Sequence, residues 1–315
     1  MSSAGILKNI VGIECPSIDE LLSRRDYPLG ALFADKNELG YLAFNGKESG
    51  EVMKIKSVYS DNSICNLCEN SGEIYYEINN HGILMPLFGK SPAVNLCSTD
   101  DWLISAGTAD GAFLYATDKG IFRVGDGKML IGQEELKKKS IEKIMEIRET
   151  EDGAYCLLMM KNHMEAAMMP LHYKNDILSF EEEIFRYTIK KDRGKMVSSA
   201  VVLEPAKNQS KKDIIACLTN GQFFLNDREI TPGKYANCGF NSLYDVNSIS
   251  LLHRDNEAAD ILMNALHYFA RLRISLKNAE IIFAERIETE GKPNVYAAVP
   301  VKSREMHEKI LELRR

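Results

Sequence analysis

The sequence predicts an all-β protein built from repeats of one small antiparallel unit. Short runs rich in Tyr, Phe, Ile and Val alternate with tight turns, and the run AFLYA followed by the turn at residues 117–120 is the clearest example. Asn, Asp and Gly occupy these turns because they tolerate the positive φ that short hairpins require. Similar phrases recur along the 315 residues. Such self-similarity indicates stacked copies of one supersecondary unit.

The spacing of the turns predicts the kind of repeat. Seven turn positions lie 32, 38, 42, 59, 45 and 36 residues apart, with a mean of 42, and they are Gly50, Gly82, Gly120, Asn162, Gly221, Leu266 and Lys302. A four-stranded propeller blade takes about 40 to 50 residues, whereas ankyrin and tetratricopeptide repeats take about 33 or 34. We therefore predict a β-propeller of about seven four-stranded blades, with six blades as the alternative.

The propeller is predicted to occupy residues 29–302 as one domain. No linker rich in Pro, Gly or Ser divides this stretch, although two ordinary domains remain an alternative. Residues 1–28 are predicted to supply a strand, ILKNIVGIE, that closes the ring by pairing into the last blade. A short helix follows it, because Ser17 and Glu20 have the spacing of a capping box.

Two further segments interrupt or end the repeats. The 59-residue step between Asn162 and Gly221 indicates an insertion near residues 163–212. Residues 133–150 have spaced apolar side chains and predict either a helix at a blade edge or an outer strand with its connection. Residues 303–315 predict a C-terminal helix, since Glu305 comes early and Arg314 and Arg315 come late, as the helix dipole favours.

Residues 102–127, WLISAGTADGAFLYATDKGIFRVGDG, resemble a generic β-propeller repeat. A polar-Asp-Gly turn precedes an aromatic-rich strand that ends in Thr117, and a Gly-led strand then ends in Arg123 and Val124. The resemblance covers one blade well and two or three others loosely, and it implies an architecture without a particular family. The WD-repeat type is disfavoured because Trp102 follows Asp101 instead of preceding an Asp, and the Gly-His dipeptide is missing.

Composition bounds the cellular setting. The N-terminus lacks a signal-peptide pattern and no apolar run approaches the length needed to span a bilayer, which predicts a soluble protein of the cytoplasm or nucleus. Seven scattered cysteines favour reduced thiols over a disulfide framework. A net charge of −6 disfavours broad electrostatic capture of nucleic acid or of an anionic membrane.

One basic edge is the candidate binding site. The predicted insertion concentrates positive charge in an otherwise acidic chain, at Lys190, Lys191, Arg193, Lys195, Lys207, Lys211 and Lys212. Such an edge suits a phosphate group or a docking partner. The competing interpretation is a solvated rim, partly neutralised by the acidic run at residues 181–183.

Metal binding and catalysis have weaker support. Cys65 and Cys68 form a lone CxxC, and a closed zinc site needs two further ligands that do not follow it. His81, in a turn, is a candidate ligand or base only if it faces a central channel. We find no nucleophile elbow, HExxH, phosphate loop or calcium loop, and so predict no cofactor, no metal and no catalytic residue. Five turn carboxylates are the groups that would have to converge in an enzyme: Asp100, Asp101, Asp110, Asp118 and Glu149.

Two main function classes follow from the sequence. The first is a non-catalytic protein–protein interaction scaffold, a subunit of a larger intracellular assembly whose partners are other proteins. The alternative is a propeller enzyme or small-ligand binder, for example a metal-assisted hydrolase, with its site at the channel mouth. A third and weaker class is a nucleoprotein accessory that uses the basic edge. The missing motifs favour the scaffold, although a fold never fixes a function.

Overall fold

The protein is described by a computed structural model that covers most of the chain. The described residues are 28–35, 38–44, 49–57, 64–78, 82–89, 91–96, 102–150, 153–160, 165–188, 196–203, 205, 212–233, 246–265, 268–288 and 298–313. They form six antiparallel sheets and two helices, and the fold class is a β-propeller, as the sequence predicts. The predicted closing strand and helix of residues 1–28 fall almost entirely outside the described residues.

The first two sheets in the chain are built as follows. Sheet 1 contains β1 (Gly30–Asp35), β2 (Glu38–Phe44), β3 (Ser49–Ser57) and, from the far end of the chain, β25 (Val299–Val301). Its strand order is β25-β1-β2-β3. Sheet 2 is a meander of β4 (Ile64–Asn70), β5 (Glu73–Ile78), β6 (Ile83–Pro86) and β7 (Val94–Asn95).

Sheet 3 and the first strand of sheet 4 lie in one continuous described stretch, residues 102–150. Sheet 3 contains β8 (Ser105–Ala109), β9 (Ala112–Thr117), β10 (Gly120–Arg123) and β11 (Met129–Gly132). A short helix, α1 (Gln133–Lys138), leads into sheet 4. Sheet 4 contains β12 (Ile141–Thr150), β13 (Gly153–Met160), β14 (Glu165–Lys174), β15 (Ile177–Phe180) and β16 (Phe185–Thr188). Residues 133–150 are therefore a helix followed by the strand that opens sheet 4.

Sheets 5 and 6 complete the set. Sheet 5 contains β17 (Val197–Leu203), β18 (Asp213–Leu218), β19 (Phe223–Leu225) and β20 (Arg228–Glu229). Sheet 6 contains β21 (Val246–Arg254), β22 (Ala258–Ala265), β23 (Tyr268–Ser275) and β24 (Glu280–Glu288). After β25 the chain ends in α2 (Arg304–Glu312), where the Ser303 hydroxyl accepts a hydrogen bond from the Met306 backbone N–H.

The described residues form six blades, the alternative that the sequence left open beside seven. Gly82, Gly120 and Gly221 fall at or next to the turn between the second and third strands of sheets 2, 3 and 5. Asn162 and Leu266 lie outside the described residues. Gly50 and Lys302, in contrast, belong to one sheet, because Gly50 lies in β3 and Lys302 directly follows β25. The sequence periodicity counted sheet 1 twice, once at each end of the chain.

The turn glycines are explained by backbone geometry. Gly82 and Gly221 have φ values of 67° and 79°, in the region that side chains rarely adopt. Gly120 has a φ of 147°, and a Cβ there would lie 2.0 Å from the carbonyl oxygen of Ile131. These positions therefore need no functional explanation.

The described residues divide into two compact units. One contains residues 1–63 with 201–315, and the other contains residues 64–200. In the second unit, sheets 2 and 3 share a buried core that includes Tyr75, Leu84 and Tyr115, while sheets 3 and 4 pack through another that includes Leu114 and Leu158. In the first unit, sheets 5 and 6 pack through aliphatic side chains such as Ile215. No described helix is long and apolar enough to cross a bilayer.

Candidate interaction site

The predicted basic edge is almost entirely outside the described chain. Only one of its seven members is described: Lys212, which lies just before β18 and is half-buried. Lys190, Lys191, Arg193, Lys195, Lys207 and Lys211 fall outside the described residues. The basic edge therefore stays a prediction.

The turn carboxylates converge only in part. Asp110 and Glu149 lie at the same end of sheets 3 and 4, and Glu149 is hydrogen-bonded to Thr108. Burial, Glu69 and Asp110 together raise the pKa of Glu149. Asp118 lies in the turn at the opposite end of β9 from Asp110. Asp100, Asp101 and His81 are outside the described residues.

The cysteine pair lies in a strand. Cys65 and Cys68 both belong to β4, where Cys68 is buried. Burial, with Glu69 and Glu77 nearby, raises the pKa of the Cys68 thiol to about 12, so this thiol is protonated at neutral pH. Within the described ranges, no group of three or more His, Cys, Asp or Glu side chains is placed to hold a metal ion.

The pairing along the outer edge of sheet 4 is interrupted at a proline. Two short strands pair with the same edge of β14: β15 opposite Leu171–Lys174 and β16 opposite Glu165–Met168. Between them lies Pro170, which has no backbone N–H to complete the ladder. The Glu181 N–H donates to the Pro170 carbonyl at 3.0 Å, and the Ile184 N–H donates to the Met168 carbonyl at 3.0 Å. The outer strand therefore bulges over residues 181–184.

The bulge creates an open hollow, hollow 1, of about 730 Å³. Its floor is apolar and its rim is charged, and its lining residues are Lys139, Met169, Pro170, Phe180, Glu181, Glu182, Glu183 and Ile184. Arg186 pairs with Glu183 and with Glu165, each at 2.6 Å. Glu181 and Glu182 are exposed.

A second open hollow, hollow 2, of about 570 Å³, adjoins the first and shares Glu181 with it. It is lined by Asp110, His172, Tyr173, Lys174, Asn175, Ile177, Ser179 and Glu181. Ile177 is 68% exposed. The His172 ring lies between two carboxylates, with Nδ1 3.3 Å from Asp110 Oδ2 and Nε2 3.3 Å from Glu181 Oε1.

A hydrogen-bonded network fixes the turns beside hollow 2. Arg123 Nη1 donates to the Tyr173 hydroxyl at 2.6 Å and to Asp176 Oδ1 at 2.5 Å, while its Nε and Nη2 contact Asp126. The Tyr173 hydroxyl donates to Asp176 at 2.6 Å, and the Tyr173 N–H donates to Asp110 Oδ2 at 2.8 Å. Hydrogen bonds from Arg123 lower the pKa of Asp126 to about 2. The network joins sheet 3 to sheet 4 and keeps this end of sheet 4 in place.

The sequence contains two signals for this site. The first is the acidic run at residues 181–183, which sequence analysis assigns to partial neutralisation of the basic edge, whereas the structure places it on the rim of the hollows. Pro170 in an otherwise strand-like stretch was the second available signal, because proline inside a strand marks an edge or a bulge. The pairing of β16 with the same strand as β15 had no such signal, since it joins residues 165–168 to residues 185–188 across the intervening β15.

Comparison with known proteins gives the fold and no family. No protein-family model matches the chain, and no curated protein matches it. A solved protein of unknown function from Bacteroides caccae is similar over 88% of this chain and 100% of its own, with 11% identity and a TM-score of 0.53. Sqt1 from Saccharomyces cerevisiae matches 74% of this chain and 63% of its own, at 11% identity and a TM-score of 0.44. AztD from Citrobacter koseri is similar over 86% of this chain and 89% of its own, with 8% identity and a TM-score of 0.47.

Proposed function

We propose that this protein is a non-catalytic protein–protein interaction scaffold in a larger intracellular assembly. The observation that carries the proposal is the pair of adjoining open hollows on the outer edge of sheet 4. They combine an apolar floor, a charged rim and the exposed Ile177 side chain. We name this surface the sheet 4 groove, defined by the linings of hollows 1 and 2.

The form of the groove favours a macromolecular partner. Small-molecule sites are concave and bury most of the ligand surface, usually in a largely apolar pocket. The sheet 4 groove is instead open and lies along the outer strands of sheet 4. The four other exposed large apolar side chains of the described chain, Ile83, Trp102, Met129 and Met196, also lie between residues 64 and 200. Exposed apolar groups of this kind support a protein-binding role for these sheets.

An intracellular setting is supported by the thiols. Cys68 and Cys156 are both buried and not in disulfides. Burial raises the pKa of both thiols, so they behave as small core groups and not as reactive thiolates. Thiols that persist in this form are typical of reducing compartments.

The test is affinity purification of the tagged full-length chain from its native cell. A scaffold is expected to recover one or more partners in stoichiometric amounts. The variant Glu181→Lys/Glu182→Lys is expected to lose a partner that the matched variant Glu134→Lys/Glu135→Lys retains, because the second pair is also exposed but lies on α1. A third variant, Lys190→Glu/Lys191→Glu, tests the basic edge in the same experiment. Recovery of the monomer alone would overturn the proposed function.

A further inference from the structure

In sheet 6, the described residues leave one buried side-chain amide without a hydrogen-bond partner. Asn264 lies in β22 and is only 2% exposed. Neither its Oδ1 nor its Nδ2 bonds to any group in the described part of the chain. Buried polar side chains in native proteins are almost always paired with protein groups or with ordered water. The Asn264 amide therefore points to a bound ligand.

The strand register places two hydroxyl groups beside this amide. Asn264 lies directly opposite Ser248 of β21, and Ser250 follows two residues further along that strand. Alternate residues of a strand share a face, so all three side chains lie on one face of sheet 6. Ser248 and Ser250 are 3% and 4% exposed. We name these three buried residues, Ser248, Ser250 and Asn264, the sheet 6 polar cluster.

The face that carries the cluster packs against sheet 1. Phe269, the β23 residue opposite Asn264, has its ring centroid 4.4 Å from that of Phe33 in β1. The Ser250 hydroxyl donates to the Ala298 carbonyl at 3.3 Å, just before β25. Sheets 1 and 6 belong to the same compact unit. The cluster is therefore enclosed between these two sheets, near the point where β25 pairs with β1.

The chemistry of the amide defines the ligand. The Asn264 side chain offers donor hydrogens on Nδ2 and an acceptor on Oδ1, so its ligand must both accept and donate hydrogen bonds. A metal cation would satisfy only the oxygen, and an anion would satisfy only the nitrogen. Water does both, and the neighbouring serine hydroxyls give it the two to four polar partners that a buried water typically has. Because all three side chains are buried, the ligand is small.

We infer that the sheet 6 polar cluster binds ordered water, at least one molecule of which bridges the Asn264 amide to the Ser248 hydroxyl. The site is separate from the sheet 4 groove, and the inference does not depend on the proposed scaffold function. A water-mediated hydrogen bond is nearly as favourable in enthalpy as a direct one. The bound water therefore stabilises the packing of sheet 6 against the sheet in which the two ends of the chain pair.

The first test detects the water by NMR spectroscopy of the full-length protein, isotopically labelled at asparagine. Cross-peaks between water and the Asn264 side-chain amide protons are expected to have opposite signs in NOE and ROE spectra, which marks a long-lived bound water. The amide of Asn95, which is exposed in β7, is the control. Its cross-peaks should have the signature of rapidly exchanging surface water.

The second test is a double-mutant cycle measured by urea unfolding. Asn264→Leu and Ser248→Ala each remove one end of the bridge and are each expected to lower the folding equilibrium constant about tenfold. The double variant should lose much less than the product of the two effects, because the second change has no bridge left to break. Ser275→Ala is the matched control, since Ser275 is buried on the same face but pairs with Ala258 at the far end of β22. Its effect should combine independently with that of Asn264→Leu.

Three outcomes would overturn the inference. The first is an Asn264 amide whose water cross-peaks match those of Asn95. The second is independent effects of Asn264→Leu and Ser248→Ala, as in the Ser275 control pair. The third is a rise in stability in Asn264→Leu, which would show that the buried amide has no ligand to lose. If Asn264→Leu does not fold, the NMR comparison in the wild-type protein decides alone.

Discussion

At the residue scale, the buried carboxyl of Glu77 in sheet 2 links stability to pH. Its side chain is fully buried, and it accepts hydrogen bonds from Asn66 Nδ2 at 2.6 Å and from the Gly82 N–H at 2.7 Å. Burial raises its pKa from 4.5 to about 7, against the opposing effect of those two donors. The Glu77 carboxyl therefore fixes the turn before β6 through its hydrogen bonds. Ionising it in this buried site has a desolvation cost.

The raised pKa of Glu77 predicts a pH-dependent stability. The protonated Glu77 carboxyl contributes to the free energy of unfolding. This contribution is fully present below pH 4.5 and is lost as the pH rises through about 7, since the pKa in the folded state exceeds that in the unfolded state. Glu77→Gln removes this titration, so wild type is expected to lose about 1 to 3 kcal/mol more than the variant between pH 5 and pH 8. Urea unfolding at both pH values measures the difference.

The control for this prediction is Glu135→Gln, because Glu135 is exposed on α1. Its unfolding free energy should follow the wild-type pH profile. Parallel profiles for wild type and Glu77→Gln would show that the buried carboxyl does not titrate in the expected range.

At the scale of elements, the sequence predicted the hairpins better than the joining of the chain ends. Three turn positions, Gly82, Gly120 and Gly221, were placed correctly in sheets 2, 3 and 5, because Asn, Asp and Gly at tight turns are a local property of the chain. The pairing of β25 with β1 joins residues near opposite ends of the chain, Val299–Val301 with residues 30–32. No local pattern could show that these strands share a sheet.

The sheet 4 groove was unpredictable for a related reason. Pro170 and the acidic run at residues 181–183 were visible in the sequence, but their meeting depends on the register of β14 with β15 and β16. The clearest sequence-based candidate, the basic edge around Lys190, is a feature of charge density alone. Charge density in a sequence does not show where on the folded protein the charged side chains lie.

The C-terminal helix stabilises sheet 1 through buried contacts. Ile310 is fully buried, and His307 Nδ1 lies 2.6 Å from the hydroxyl of the buried Tyr41. Ile310→Ala is therefore expected to lower the free energy of unfolding by about 2 to 5 kcal/mol, as for other large-to-small core substitutions. Denaturant unfolding measures the loss.

The exposed Glu312 of the same helix supplies the control. Glu312→Ala should change the unfolding free energy by less than about 0.5 kcal/mol. If Ile310→Ala proved equally harmless, the helix would not be part of the folded unit.

At the scale of the whole molecule, charge and exposed apolar surface are unevenly distributed. The chain carries a net charge of −6. Both open hollows, and every large hydrophobic side chain found exposed in the described ranges, lie between residues 64 and 200. The other unit, residues 1–63 with 201–315, contributes the pairing of the C-terminal strand and the buried core of sheets 5 and 6. We therefore expect partner contacts to concentrate on sheets 2 to 4.

The central claim is that the sheet 4 groove is the docking surface of an interaction scaffold. Amide hydrogen exchange of the native complex, compared with the purified chain, tests it most directly. Our account predicts that partner binding slows exchange at residues 172–184, which line the two hollows. Unchanged exchange across residues 172–184, with protection confined to other sheets, would contradict it.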